Sequence, residues 1–336
     1  MGLSPDLFKR LSRLNREWLR TRMTTADRVE ASAPPAAGAP PLSPAEVTLE
    51  RFVAGEARES PDGRFYLVRR RAEECWPSAP ADDGSGTPAL AQPCGTPALG
   101  RESAQPGAAV PQDADPGVLA EYRRVFHGAG RAAAPGEFHE DLRPLIDTDP
   151  AAVTYLDIET CGLAGGEPLF LVGLMRWAGG TLRVEQYLAR DYAEERGVLA
   201  ATWAALADSA CLVTFNGRTF DLPIVEARSL AVGLFGRRLA GPHVDLLAES
   251  RRRWRGVLPN CRLQTIEQEV CGRYRAGDIP GSEIPAAYHE FVRAVRGDDV
   301  ASRVRSLRKM QAILHHNALD LVTMAELAAR LLATRP

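Results

Sequence analysis

Residues 153–160 read VTYLDIET, and the runs that follow, LFLVGLMRW at 169–177 and TLRVEQYLA at 181–189, are equally rich in bulky and β-branched side chains. Three strand-like runs joined by Gly-containing connections predict an antiparallel meander. Ala193–Ala207 then carries helical periodicity, Cys211–Phe215 (CLVTF) reads as a short buried strand, and a second helix is expected from Leu222 to Val232. Strand, strand, strand, helix, strand, helix is an order that implies an α/β fold, a mixed sheet with helices packed on it. From Val244 onward the pattern is mostly helical and ends in a run over Val300–Leu332.

Upstream of this block, VTLERFVAGEARES and RFYLVRRR flank the turn signal Pro61-Asp62-Gly63 and predict a β-hairpin. Ala31–Pro44 is an Ala/Pro-rich linker in composition. Trp76–Gly117 is dominated by Pro, Gly, Ala, Ser and Asp, and repeats GTPAL at 86–90 and 95–99. So little bulky apolar surface does not offset the entropy of ordering, and this stretch is expected to be disordered. Near the start, Leu7, Leu11, Leu14 and Trp18 recur at helical spacing among Lys9, Arg10, Arg13, Arg16 and Arg20, the pattern of a short basic amphipathic helix. The expected organisation is therefore a basic helix and linker (1–46), an accessory hairpin (47–75), a disordered linker (76–118), a connecting segment (119–150) and a catalytic-type domain (151–333).

The chain has 336 residues, 45% of them hydrophobic, enough for a sizeable core. Forty-one basic and 43 acidic side chains give a net charge of −2, which excludes coating nucleic acid by bulk charge and leaves a local basic groove open. The longest uninterrupted apolar run, Leu169–Met175, falls well short of the roughly 20 residues of a membrane helix. No membrane span is expected, and without a secretory leader pattern a cytoplasmic location is. The six cysteines form no CxxC pair and no zinc spacing, so buried reduced thiols are expected.

Asp157 and Glu159 are two apart in a strand, so both carboxylates leave the same face. Adjacent like charges on an apolar strand need compensation, and hard oxygen ligands of this kind suit Mg²⁺ or Mn²⁺. Asp221 follows the strand CLVTF and the loop NGRTF, and reads either as a site residue at a strand end or as a helix N-cap. Asp320 lies in the helical run HHNALDLVTMAELAARL, with His316 one turn earlier on the same face and His315 five residues earlier.

LDIET, NGRTFD and HNALD, in this order, resemble the three motifs of the DEDD-type 3′-to-5′ exonucleases, D-x-E, N-x3-F-D and (Tyr/His)-x3-D. With ETCGLAGG, FLVGL, PHVDLL and IPGSEIPAAYHEFV around them, the stretch Val153–Leu332 resembles the bacterial YprB-type ribonuclease H-like proteins. The resemblance implies a ribonuclease H-like mixed sheet and two Mg²⁺ or Mn²⁺ ions held by Asp157, Glu159, Asp221 and Asp320. It implies that Asp157 bridges both ions, that Glu159 and Asp320 complete the water-activating site, and that Asp221 holds the second ion. The general base is His316 or, on the other subclass template, His315; the spelling HN-x-x-D favours His316. Thr160 and Asn216 are implied to touch a nucleotide.

Arg251, Arg252, Arg253 and Arg255 surround Trp254, which reads either as a basic run with a stacking aromatic or as a solvated helix face with Trp254 in the core. Arg251 and Arg252 are the expected phosphate contacts. Asp245 reads as a helix N-cap or as an additional carboxylate beside the site. The function these features point to is a metal-dependent nuclease, a 3′-to-5′ exonuclease acting on single-stranded DNA or RNA ends. The competing classes are a non-catalytic nucleic-acid-binding protein that keeps the fold and a structure-selective endonuclease.

Overall fold

The alternating apolar runs assemble into one seven-stranded sheet in a computed structural model that describes residues 43–75, 117–127, 139–162, 166–275 and 277–333. The basic N-terminal helix and the GTPAL segment lie outside the described residues. In chain order the elements are α1 (Leu49–Phe52), β1 (Glu56–Ser60), β2 (Gly63–Arg71), α2 (Ala72–Cys75), α3 (Gly117–Phe126) and α4 (Arg143–Asp147). Next come β3 (Val153–Thr160), β4 (Leu169–Ala178), β5 (Thr181–Leu188), α5 (Glu195–Leu206), β6 (Cys211–Thr214) and α6 (Asp221–Ala231). The chain ends with β7 (His243–Asp245), α7 (Leu246–Trp254), α8 (Leu263–Glu269), α9 (Ile284–Ala294) and α10 (Val300–Ala333).

The strand order is β1-β2-β5-β4-β3-β6-β7. β3, β4 and β5 form the antiparallel meander, while β6 runs parallel to β3 and β7 parallel to β6. This is the mixed, helix-flanked sheet of a ribonuclease H-like fold. The hairpin β1–β2 is antiparallel, and β2 pairs with β5 from Tyr66 opposite Leu188 to Arg71 opposite Arg183. The segment is thus continuous with the main sheet through main-chain hydrogen bonds.

Because side chains alternate along each strand, both faces of the sheet carry apolar side chains, and these gather into two clusters. Leu156 and Ile158 of β3 join a core built with α5, α6, α9 and the first half of α10, in which Phe170 stacks on Tyr288 at 3.9 Å between centroids. Val153 and Tyr155 face the other core, made with α3, α4, α7, α8 and the second half of α10. β4 is buried on both faces from Leu169 to Met175, which explains its uninterrupted apolar run. No helix among the described residues is long and apolar enough to cross a membrane. Cys75, Cys161, Cys211, Cys261 and Cys271 are free thiols.

Gly197 lets α5 lie directly on β2, since a Cβ there would collide with the main-chain carbonyl of Arg64. A main-chain carbonyl has no rotamer to yield, so the clash outweighs the higher helix propensity of alanine. Gly197→Ala is expected to lower the unfolding free energy by about 1–2 kcal/mol. An unchanged midpoint in urea would show that the hairpin does not pack on α5 as described.

Candidate active site

β3 pairs with β6 only as far as Tyr155 opposite Val213. Beyond that point the main chain of β3 at Ile158 meets Asp221, at the start of α6. The polar residues therefore collect at the carboxyl ends of the parallel strands β3, β6 and β7, where open α/β sheets place their ligand sites.

Asp157 and Glu159 leave β3 on the same face, both partly exposed, and Asp157 sits opposite Gly173 of β4. Asp221 is buried as the first helical residue of α6, while the N-cap position belongs to Phe220, whose side chain caps nothing. Of the two sequence readings of Asp221, N-cap and site residue, the cap is not adopted. Asp320 comes from α10. Burial raises the Asp157 carboxyl well above its ordinary range, and the nearby charges of Asp320, Glu159 and Asp221 add to the shift. Glu159 is raised in the same way by burial and then by Asp320 and Asp221. Asp221 is pushed up to about 7, chiefly by burial, although the main-chain N–H groups of its own residue and of Ile158 partly compensate. The four predicted acids thus share one electrostatic environment.

What holds them was not foreseen from the sequence. Asn317 of α10, fully buried, donates from Nδ2 to Asp157 Oδ2 at 2.7 Å and accepts at Oδ1 from Gln186 Nε2 at 2.8 Å. Gln186 also donates to the carbonyl of Leu314 at 2.7 Å. Gly173 makes the approach of Asn317 to the sheet possible, because any Cβ there would overlap the Asn317 carboxamide. Arg275, buried in the loop between α8 and α9, donates to Asp320 Oδ1 at 2.5 Å and to Glu267 Oε2 at 2.7 Å. From the same loop, Asp278 accepts from Arg275 Nη1 at 3.2 Å and lies 2.8 Å from His316 Nδ1. His316 Nε2 is 3.6 Å from Asp320 Oδ2. Burial opposes ionisation of His316, but its Asp278 partner and Asp320 outweigh it and raise the imidazole above its ordinary value. His315 has no such partner, and burial lowers it. The carboxylate-facing histidine is therefore His316.

The other candidates are placed differently from one another. Thr160 is buried and its hydroxyl donates to the carbonyl of Gly162 at 2.7 Å. Asn216 adopts a left-handed conformation (φ 71°) and uses its side-chain oxygen to accept from Thr219 at 2.8 Å. Asp245 holds this loop, accepting from the main-chain N–H groups of Asn216 and Arg218, and also caps α7 at Leu247. Asp245 is thus an N-cap and loop anchor. Arg251 is exposed on α7, and no ion pair joins it or Arg252 to the four acids. Arg252 is instead bound by Glu249 and by Asp141 at 2.5 Å, beside His139, so its expected role as a free phosphate contact gives way to a local ion-pair network. Trp254 packs against the second core, which selects its core reading.

Four hard oxygen donors, three of them with carboxyls raised by burial and by neighbouring charges, are a donor set that fits Mg²⁺ or Mn²⁺. Glu159 makes no ion pair or hydrogen bond among the described residues, and Asp320 keeps Oδ2 free of Arg275. No three of the four acids bring ligand atoms within 4.8 Å of one another; the described group that does is His139, Asp141 and Glu249, which Arg252 already neutralises.

Residues 154–332 match the RNase_H superfamily. The chain belongs to that superfamily. It is 31% identical over 176 residues to the uncharacterized protein YprB of Bacillus subtilis (strain 168), covering 52% of this chain and 40% of that one. The chain thus spans well under half of the curated relative it matches. A family B DNA polymerase from the hyperthermophilic archaeon Pyrobaculum calidifontis superposes with a TM-score of 0.41 at 19% identity, over 54% of this chain and 24% of the polymerase.

A carboxyl raised from its ordinary 3.8 to about 7 binds more protons folded than unfolded between those values. Stability then falls as pH rises from about 4 to about 7. Without divalent cations, Asp221→Asn is expected to flatten that decline in urea titrations, and a slope identical to wild type would contradict it. Glu159→Gln is expected to raise the cation-free stability near pH 8 by about 1 kcal/mol, as relief of strain at functional sites does. The same variant should lose the thermal upshift that Mn²⁺ gives wild type, and a retained upshift would exclude Glu159 as a ligand.

Proposed function

We propose that this domain is a divalent-cation-dependent nuclease that hydrolyses phosphodiester bonds, working as a 3′-to-5′ exonuclease on single-stranded ends. The observation that carries this reading is the gathering of four carboxylates, of which Asp157, Glu159 and Asp221 are raised by burial and by the charges of their neighbours, while Glu159 has no ion-pair partner among the described residues. A protein that only binds nucleic acid gains nothing from such self-repelling groups. Membership of the RNase_H superfamily supports the same reading.

Asp157, Glu159, Asp221 and Asp320 hold the cations, Mg²⁺ or Mn²⁺, two in number. When bound, such ions lower the pKa of a water and neutralise charge on the leaving oxygen. Asn317 restrains the Asp157 carboxylate by donating to its Oδ2 and so leaves Oδ1 for a cation. His316 Nε2, turned toward Asp320, accepts the proton of the attacking water. Thr160, the last residue of β3, and Asn216, in the loop after β6, are assigned with exposed Arg251 to contact the nucleic acid.

The test is degradation of 3′- and 5′-labelled single-stranded DNA and RNA in Mn²⁺ or Mg²⁺ against EDTA, with circular single strands as the endonuclease control. Stepwise shortening from the 3′ end is expected, lost by about 10³-fold or more in Asp157→Ala because such groups act as a unit. Cleavage of the circle would favour an endonuclease. Binding without turnover of any substrate would sink the catalytic reading.

A further inference from the structure

The loop 270–283 lies between α8 and α9, and no recognisable sequence motif marks it, yet it sends two charged side chains under α10. Gly277, at φ 74°, reverses the chain and delivers Asp278 to His316. Both side chains are nearly sealed from solvent, with 8% of His316 and 10% of Asp278 exposed. Water therefore offers little alternative partner for either.

We propose that Asp278 is a positioning residue for the reaction: it binds the Nδ1–H of His316 and so leaves Nε2 unprotonated and turned toward Asp320. The inference rests on the reading of His316 as the base. Asp278 Oδ2 also receives Arg275 Nη1 at 3.2 Å, and a carboxylate shared between a guanidinium and an imidazole is an acceptor only. His316 must then be the donor at Nδ1, which specifies the tautomer. Asp278 Oδ1 is buried with no partner of its own, so the binding capacity of the group converges on the oxygen that His316 and Arg275 share. A buried acceptor left unsatisfied is a destabilising feature that stability alone does not explain.

In the proposed step a water molecule gives one proton to His316 Nε2 while its oxygen bonds to phosphorus, the P–O3′ bond breaks, and the departing 3′ oxygen takes a proton from solvent. The imidazole then carries protons on both nitrogens, and the Asp278 carboxylate faces the positive charge so formed. Arg275 keeps Asp278 ionised, and through Asp320 it ties the same loop to the acid cluster. The loop thus orients the histidine and restrains Asp320 together.

The test uses the full chain labelled with ¹⁵N-histidine, compared as wild type, Asp278→Asn and Asp278→Glu, with His316→Gln to assign the signal. Long-range ¹⁵N–¹H spectra, recorded at a pH above the titration of His316 so that the ring is neutral, are expected to show His316 protonated at Nδ1 in wild type, a mixed or reversed tautomer in Asp278→Asn, and recovery in Asp278→Glu. Turnover of single-stranded DNA should fall in Asp278→Asn by about 10²-fold in kcat, the scale of a lost acid–base contribution. KM and Mn²⁺ affinity should stay within about threefold of wild type, because no proposed ligand is removed. A proton on Nε2 in wild type, or the same tautomer and kcat in Asp278→Asn, would overturn the inference while leaving the nuclease reading standing. Absence of turnover in wild type would overturn both, whatever tautomer the spectra report.

Discussion

The repulsion among four carboxylates at the end of β3 is the constraint around which the rest of this structure is arranged. Asp157 and Glu159 cannot turn away from each other, because strand geometry sends both to one face. Burial makes matters worse by weakening the solvent screening that separates like charges elsewhere. The protein answers with a neutral amide on Asp157, a guanidinium on Asp320 and main-chain N–H groups on Asp221. Glu159 receives nothing, and the cluster is left short of positive charge. That deficit is what a divalent cation would meet.

Helix α10 explains how such a cluster is kept in place. Its first half packs into one apolar cluster through Leu307, Met310, Ile313 and Leu314, and its second half into the other through Leu321, Val322, Met324 and Ala325. At the crossing between the two cores lie His316, Asn317 and Asp320, so three polar side chains are positioned by apolar contacts on either side of them. Gly173 is the complement on the sheet, a missing side chain that lets the helix come close enough for Asn317 to reach both Asp157 and Gln186. A hydrogen-bonded amide chain of this kind, buried throughout, is rigid because each member would be costly to leave unpaired.

The loop after α8 adds the second layer. Arg275 lies between Glu267 and Asp320, and Arg273 is ion-paired with Glu326 of α10. Two arginines from one loop, both buried and both facing acids on neighbouring helices, anchor the backbone that carries Asp278. By contrast, the arginines of α7 that look most like a nucleic-acid contact are partly consumed in the ion pairs of Arg252 with Asp141 and Glu249. The arginine that touches the acid cluster is the less conspicuous Arg275, which bonds Asp320.

The sequence by itself determined the sheet and its order of strands and helices, and it singled out four acids that the fold brings into one electrostatic environment. These depend on local alternation, on the two-residue spacing of Asp157 and Glu159, and on short motifs in which neighbouring letters carry the information. The one-turn spacing of His316 and Asp320 was legible for the same reason. Only the tertiary structure shows that His316, and not His315, meets Asp278 and Asp320, that Trp254 packs on the core, and that Phe220 rather than Asp221 holds the N-cap position. It also brought in Asn317, Arg275 and Asp278, which lie 160, 45 and 38 residues from Asp157, Asp320 and His316 respectively. Contacts across such separations arise when helices and loops dock on a finished sheet, and nothing in the local pattern of a loop such as GRYRAGD records which acid or imidazole it will meet.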